Sequence, residues 1–315
     1  MSSTATVAKI QNYIELQYGR LLASEYWLKL QEMPPLKRWA TLSGLFIASQ
    51  VVVFGLIYLL LGKIAVIGFF ASFLAGLATG LGALPTLFFK EISDKLFNSL
   101  LGAAAGIMLA ATAFSLLVPG IDAGNQLWPG RGIWVVSFGM MIGAFFLHYA
   151  DRQLPHIHFE NVADTQLDSI QKIWLFIVAI TIHNFPEGMS VGVSFGSGDM
   201  KNGIILAIAI ALQNIPEGLA VALPLAALGY NKWKAVGIAT LTGLVEPVGG
   251  FLGVSMVTVF STVVPIAMGF AAGAMLFVIS EEIIPETHVN GRSRLATFSL
   301  MIGFIIMMTL DNMLG

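Results

Sequence analysis

The 315-residue chain contains no cysteine, which excludes disulfides and any metal site built on thiolates. Charge is scarce too. Asp, Glu, Lys and Arg supply 11% of the residues, against about a quarter in ordinary soluble domains, and 57% of the chain is hydrophobic. A polar coat for a soluble globule is therefore missing. Short alternating apolar and polar segments are missing as well, which excludes a membrane β-barrel. The net charge of −2 gives no electrostatic footprint for nucleic acid, and none is expected as a partner.

What remains is a set of nine long apolar runs, 40–62, 64–89, 96–121, 132–150, 173–198, 202–231, 235–260, 262–280 and 295–310. Each can cross a ~30 Å hydrocarbon core as a helix, the two shortest (132–150 and 295–310) with the help of flanking residues. Lys63 alone divides the first pair and Ser261 alone divides 235–260 from 262–280. The first run follows a charged stretch and has no small-residue cleavage site, so it is expected to be a spanning helix rather than a cleaved signal. The expected fold is an all-α membrane protein with nine transmembrane helices. Residues 1–39 form a cytoplasmic segment, with an interfacial helix expected over 8–32 that stops at Pro34 and Pro35. Residues 151–172 form the longest internal loop.

The basic residues set the orientation. With a cytoplasmic N-terminus, Lys63, Arg131 and Lys201 lie outside and the other thirteen lysines and arginines lie inside, a strong positive-inside bias. The chain is thus expected in the inner (cell) membrane, N-terminus in and C-terminus out.

Within the runs the charges are three glutamates, Glu187 in HNFPEG (183–188), Glu217 in QNIPEG (213–218) and Glu246 in GLVEPVGG (243–250). A charged side chain at bilayer depth costs ~2.5–3.5 kcal/mol on insertion scales. The nearest bases in sequence, Lys172, Lys201, Lys232 and Lys234, stand at segment ends. The counter-charge has to come from another part of the chain, from protons or from a bound cation. The first two motifs are one pattern repeated 30 residues apart, and helical spacing puts His183, Asn184 and Glu187 on one face, as it does Gln213, Asn214 and Glu217. Pro186, Pro216 and Pro247 withdraw donors from the carbonyls of Ile182, Leu212 and Gly243, which is tolerated in a membrane only beside protein or a wet cavity. One imidazole, three carboxylates, amide oxygens and backbone oxygens suit Zn²⁺, Cd²⁺, Fe²⁺, Co²⁺ or Mn²⁺, and suit Mg²⁺ poorly. The glycine-rich stretches at 76–82, 102–106 and 269–273 are expected to let helices pack closely.

Through HNFPEG, QNIPEGLAVALPL, the Glu-Pro of GLVEPVGG and EEIIPETH near the C-terminus, residues 64–315 resemble the ZIP (Zrt-, Irt-like protein) family of divalent-metal transporters, and its bacterial GufA-like branch in particular. The resemblance implies an eight-helix core over 64–315, with 151–172 as its variable cytoplasmic loop and 40–62 as an extra N-terminal helix. It implies movement of Zn²⁺ and related ions into the cytoplasm, with no organic cofactor, through a two-metal site. It also implies a homodimer and a two-bundle, elevator-like architecture in which 64–89, 173–198, 202–231 and 235–260 move. Carried onto this chain, the first metal would be held by His183, Glu187, Gln213 and Glu217, with Met108 approaching. The second would be held by Asn184, Glu187, Asn214, Glu217 and Glu246. Gln213 stands where many members have histidine, and Asn214 where close relatives have an acid, which lowers ligand basicity and charge.

Asp122 is a candidate entrance residue beyond the run 96–121, and Asp151, His156, His158, Glu281, Glu282, Glu286 and His288 are candidates for a cytoplasmic exit. Two other functions fit some of these residues. A zinc-dependent hydrolase in the membrane would need three ligands, an open position and a base, but HExxH is absent. A proton-coupled carrier of an organic solute would use the glutamates as relays.

Overall fold

The computed structural model describes residues 25–89, 92–152, 169–288 and 293–314. Every regular element among the described residues is helical. The chain divides into two units, Met1–Leu60 and Leu61–Gly315.

In the first unit, α1 (Glu25–Glu32) is followed by the start of α2 (Pro35–Ala83). The start of the expected interfacial helix lies outside the described residues; its end falls before Pro34 as expected. Pro35 opens α2 at a position where its missing N–H would have had no partner. Leu45, Phe46, Ile47, Val51, Val52 and Leu59 are exposed, a surface fit for lipid and not for water. α2 is interrupted at Gly62, where φ 82° and ψ −175° define a conformation essentially open to glycine alone. The division between the first two runs thus falls at Gly62, one residue before the lysine that marks it in the sequence.

In the second unit the rest of α2 runs to Ala83, and a 3₁₀ turn with Pro85 (Leu84–Leu87) ends it. Then come α3 (Asp94–Ala110), a π-helical segment (Ala111–Leu117), α4 (Val118–Leu127), α5 (Gly132–Arg152), α6 (Ser169–Gly196), α7 (Met200–Ala227), α8 (Lys232–Gly243) and α9 (Glu246–Val259). A 3₁₀ turn (Ser261–Val263), α10 (Val264–Val278), a second π-helical segment (Ile279–Ile283), α11 (Ile284–His288) and α12 (Ser293–Leu314) complete the chain.

Seven of the described segments are long and apolar enough to cross a membrane: Ala40–Leu87, Lys95–Leu127, Gly132–Ala150, Met200–Ala227, Lys232–Val259, Ser261–Thr287 and Arg294–Met313. The first is 48 residues long and contains the interruption at Gly62. α6 carries His183, Asn184 and Glu187 in its middle and is not among the seven.

Several segments outrun their apolar runs. The helix expected over 96–121 continues through the π segment and α4 to Leu127, so Asp122 is an exposed residue inside a helix, not a turn residue after one. The segment expected over 262–280 continues to His288, and the one over 295–310 to Leu314. Glu281, Glu282 and Asp311 are therefore intrahelical, so Glu187, Glu217 and Glu246 are not the only acids within the long apolar segments. Charges end an apolar run in the sequence, but a helix backbone continues wherever its own hydrogen bonds are satisfied.

Packing follows the glycines. α5 pairs with α10, α6 with α9 and α3 with α12. Gly102 and Gly106 lie against the α12 backbone at Ala296 and Leu300, and Gly269 and Gly273 against α5 at Val136 and Met140, the close approach expected of those stretches. Gly76 of α2 faces Gly243 of α8. Met108, Leu206, Ile210 and Met275 belong to one buried apolar core.

Candidate metal-ion site

The two repeated motifs occupy the middles of α6 and α7, and Pro186 and Pro216 sit inside helices that continue through them. The third motif differs from the expected single helix over 235–260. α8 ends at Gly243, Leu244 and Val245 form a turn, and α9 begins at Glu246 with Pro247 in its first turn. Proline is favoured there because it gives up a donor that has no helical acceptor. Glu246 consequently sits at the electropositive end of a half-helix in the interior of the fold, a position that favours a carboxylate.

Gly188 fixes how closely Glu246 approaches Glu187. A Cβ on Gly188 would run into the backbone carbonyl of Glu246, so α6 and α9 meet where only glycine fits. Ser72 Oγ of α2 donates to Gly68 O at 2.9 Å and lies 3.4 Å from Gly188 O, which brings α2 to the same point.

His183, Asn184, Glu187, Gln213, Asn214, Glu217 and Glu246 are all buried. Glu187, Glu217 and Glu246 lie within coulombic range of one another. No lysine or arginine among the described residues is paired with any of them. Both oxygens of Glu187, one of Glu246, both amide atoms of Asn184 and of Gln213, and the amide oxygen of Asn214 have no hydrogen-bond partner. Gln213 lies beside Glu187, but the two make no hydrogen bond of ordinary geometry. Buried polar atoms are nearly always satisfied, and so many unsatisfied together mark a place shaped for something other than protein. Among the described residues, no three histidine, aspartate or glutamate side chains converge closely enough to hold an ion.

Three hydrogen bonds order the cluster. His183 Nε2 donates to Glu282 Oε1 at 2.8 Å. Asn214 Nδ2 donates both to Glu246 Oε1 at 2.6 Å and to Ala75 O at 2.7 Å. Glu282, an exit candidate, reaches His183 from the π-helical segment after α10, which no periodicity in the sequence announces. A cavity of about 230 Å³ leads away from the cluster, lined by His183, Glu217, Glu282 and Glu286 together with Phe97, Leu101, Phe176, Ile180 and Pro224.

Met108 is fully buried in the apolar core with Ile210, one turn before Gln213, and its carbonyl accepts Thr112 Oγ1 at 2.8 Å. Glu281 is exposed and Glu286 half-buried. Asp151 and His288 are the last or nearly the last residues of α5 and α11, with side chains that are not described. His156 and His158 lie outside the described residues. One acid escaped notice in the sequence because it stands just past an apolar run. Asp311 of α12 accepts Ser115 Oγ of the first π segment at 2.7 Å, and Ser115 O accepts Asn202 Nδ2 of α7 at 2.8 Å.

A profile of the family described as ZIP Zinc transporter matches residues 160–311. The chain is 44% identical over 255 residues to the zinc transporter ZIPB of Bordetella bronchiseptica, covering 80% of this chain and 81% of that protein. It is 42% identical over 255 residues to the zinc transporter GufA of Myxococcus xanthus, covering 79% of this chain and 99% of that protein. With the human zinc transporter ZIP11 it shares 32% identity over 321 residues, covering 75% of this chain and 94% of that protein.

Proposed function

The chain belongs to the ZIP family, and from that premise we propose that it is a multi-pass membrane transporter, not an enzyme, that moves Zn²⁺ and related divalent ions (Cd²⁺, Fe²⁺, Mn²⁺, Co²⁺) into the cytoplasm. The observation that carries it is the cluster of three buried glutamates, with unsatisfied oxygens on Glu187 and Glu246, unsatisfied amides around them and, among the described residues, no lysine or arginine paired with them.

His183, Glu187, Gln213 and Glu217 bind the travelling ion, one imidazole and one amide with two carboxylates that neutralise a dication. Asn184, Asn214 and Glu246 form the adjoining set, and Met108 approaches from α3. Glu282 and Glu286 both line the cavity beside the cluster and serve the exit side. Burial makes selection possible, because an ion that enters has to exchange its water for these ligands.

The chain crosses the inner membrane nine times, with its N-terminus in the cytoplasm and its C-terminus outside. The positive-inside count supports this, as does the interruption of α2 at Gly62. Residues 1–39 are a cytoplasmic segment, 40–62 an added helix, and 64–315 the transport domain. Within it, α6, α7, α8, α9 and the second half of α2 move as one bundle against α3, α5, α10 and α12, and two copies associate through the latter. The glycine contacts that bind α2 to α8 and α6 to α9 support a bundle that travels as a body.

The test is flux. Reconstituted in liposomes loaded with a metal-sensitive dye, the protein is expected to admit Zn²⁺ and Cd²⁺ above empty vesicles. Glu217→Ala and His183→Ala are expected to abolish the signal. Uptake unchanged in both variants, or none in the wild type, rejects the function.

A further inference from the structure

We propose that the cavity beside the glutamate cluster binds a compact hydrophobic amine, its ammonium seated between Glu217 and Glu282 and its hydrocarbon body against Phe97, Leu101, Phe176 and Ile180. Binding itself does not depend on the transport reading; competition with the travelling ion rests on it.

Two kinds of wall meet in this cavity. Phe97 and Leu101 stand one turn apart on α3, and Phe176 and Ile180 one turn apart on α6, so each helix turns an apolar strip to it. Phe97, Phe176 and Ile180 belong to a second buried apolar core, with Ala220, Val221 and Leu225. The polar lining is Glu217, Glu282, Glu286 and His183, with no lysine or arginine beside them. Glu217 is 7% exposed, and its carboxylate accepts no hydrogen bond from the described residues. Glu217 and Glu282 lie within coulombic range of each other, and the base among the lining residues, His183, is already joined to Glu282. A buried acceptor facing a cavity that is acidic on one side and apolar on the other asks for a ligand that is cationic at one end and apolar at the other.

A hydrated metal ion gains nothing along the apolar strips, whereas an alkylammonium uses both walls. Its three donors find acceptors at Glu217 and Glu282. Its carbons leave water against the aliphatic side chains and the two phenylalanines. A quaternary ammonium has no hydrogen to donate, and a polyamine would lay further charges on the apolar strips. The cavity, about 230 Å³, is smaller than the usual ~300–1,000 Å³ of a site for drug-sized ligands, which restricts the body to a single ring. Because His183 and Glu217 line the same space, an amine seated there occupies groups that the ion needs, and the two exclude each other.

Cyclohexylmethylamine is titrated calorimetrically into the purified full-length protein in detergent, with cyclohexylmethanol as the control for charge and methylammonium as the control for the body. The amine is expected to bind, and each control to bind at least about tenfold more weakly, one lacking a charge-assisted hydrogen bond and the other the buried carbons. Leu101→Trp fills the cavity from α3 and is expected to weaken the amine by a similar factor; Ala220→Leu, which fills it from α7, serves if the first variant does not fold. Saturating amine is expected to raise the apparent Kd for Cd²⁺ in the wild type. No binding of the amine, equal binding of the alcohol, or unchanged binding in a folded cavity-filling variant overturns the proposal. So does amine binding that leaves the Cd²⁺ titration unmoved. A wild type that binds no Cd²⁺ even without amine would instead reject the divalent-ion site, and the amine titrations would still decide the present proposal.

Discussion

His183 and Glu282 are joined Nε2–H to Oε1 at 2.8 Å, so the imidazole of the first motif is engaged from the opposite side of the cavity by a residue from the π segment after α10. With the proton on Nε2, the free lone pair of a neutral ring lies on Nδ1. An ion that uses Nε2 has to displace Glu282 first. The pair is a charge-assisted contact beside a cavity, so its rupture weakens ion binding and its re-formation helps expel the ion.

Glu282→Gln is therefore expected to bind Cd²⁺ more tightly, by up to about tenfold if the contact contributes ~1.5 kcal/mol. Uptake should become slower. Titration of the purified protein and dye-based flux on the same preparation check the two halves. Weaker binding together with slower uptake would make Glu282 a ligand and not a competitor.

Glu187 has two buried oxygens without partners, an arrangement that opposes folding when nothing positive is near. Glu187→Gln removes the ionisable group and keeps the shape. Metal-free, it is expected to be more stable than the wild type by about 1–3 kcal/mol, seen as a raised unfolding temperature in detergent, and to lose transport. A destabilised Glu187→Gln would mean that the carboxylate is structurally satisfied after all.

Saturating Cd²⁺ or Zn²⁺ is expected to raise the unfolding temperature of the wild type, since an ion at a hundred times its Kd adds ~2.7 kcal/mol. The shift should vanish in Glu217→Ala. An equal shift in both proteins would place the stabilising ion outside the cluster.

Gly188→Ala puts a methyl group against the carbonyl of Glu246. Overpacking of this kind costs about 1–3 kcal/mol, and the displacement falls on the contact that sets Glu187 beside Glu246. Reduced Cd²⁺ affinity in protein that still purifies as a folded species is the expected outcome, because a site loosened by ~1 Å is enough to impair it. Unchanged affinity would show that the α6–α9 approach does not set the ligand geometry.

Much of this protein was legible in its sequence. The apolar runs specify membrane helices, because a spanning backbone has to satisfy its own hydrogen bonds and its side chains have to match lipid. HNFPEG and QNIPEG name their own buried polar groups, because helix periodicity alone puts them on common faces and no base stands near them in the chain. Segment ends were harder. Asp122, Glu282 and Asp311 each lie in helices that continue past the last apolar residue, and a carboxylate stops a hydropathy run without stopping a helix.

What tertiary structure alone decided are the relationships between distant residues. Neither the break at Leu244–Val245 that sets Glu246 at a helix start, nor the π segment that turns Glu282 onto His183, has a periodicity to betray it. The amide of Asn214 could face either way until packing put Ala75 O and Glu246 Oε1 on one side of it. Composition and spacing determine which groups leave water, since that depends on each segment's own balance of apolar and polar surface. Which groups then face one another depends on how several helices close at once, and that is settled only where backbones meet at glycines such as Gly188.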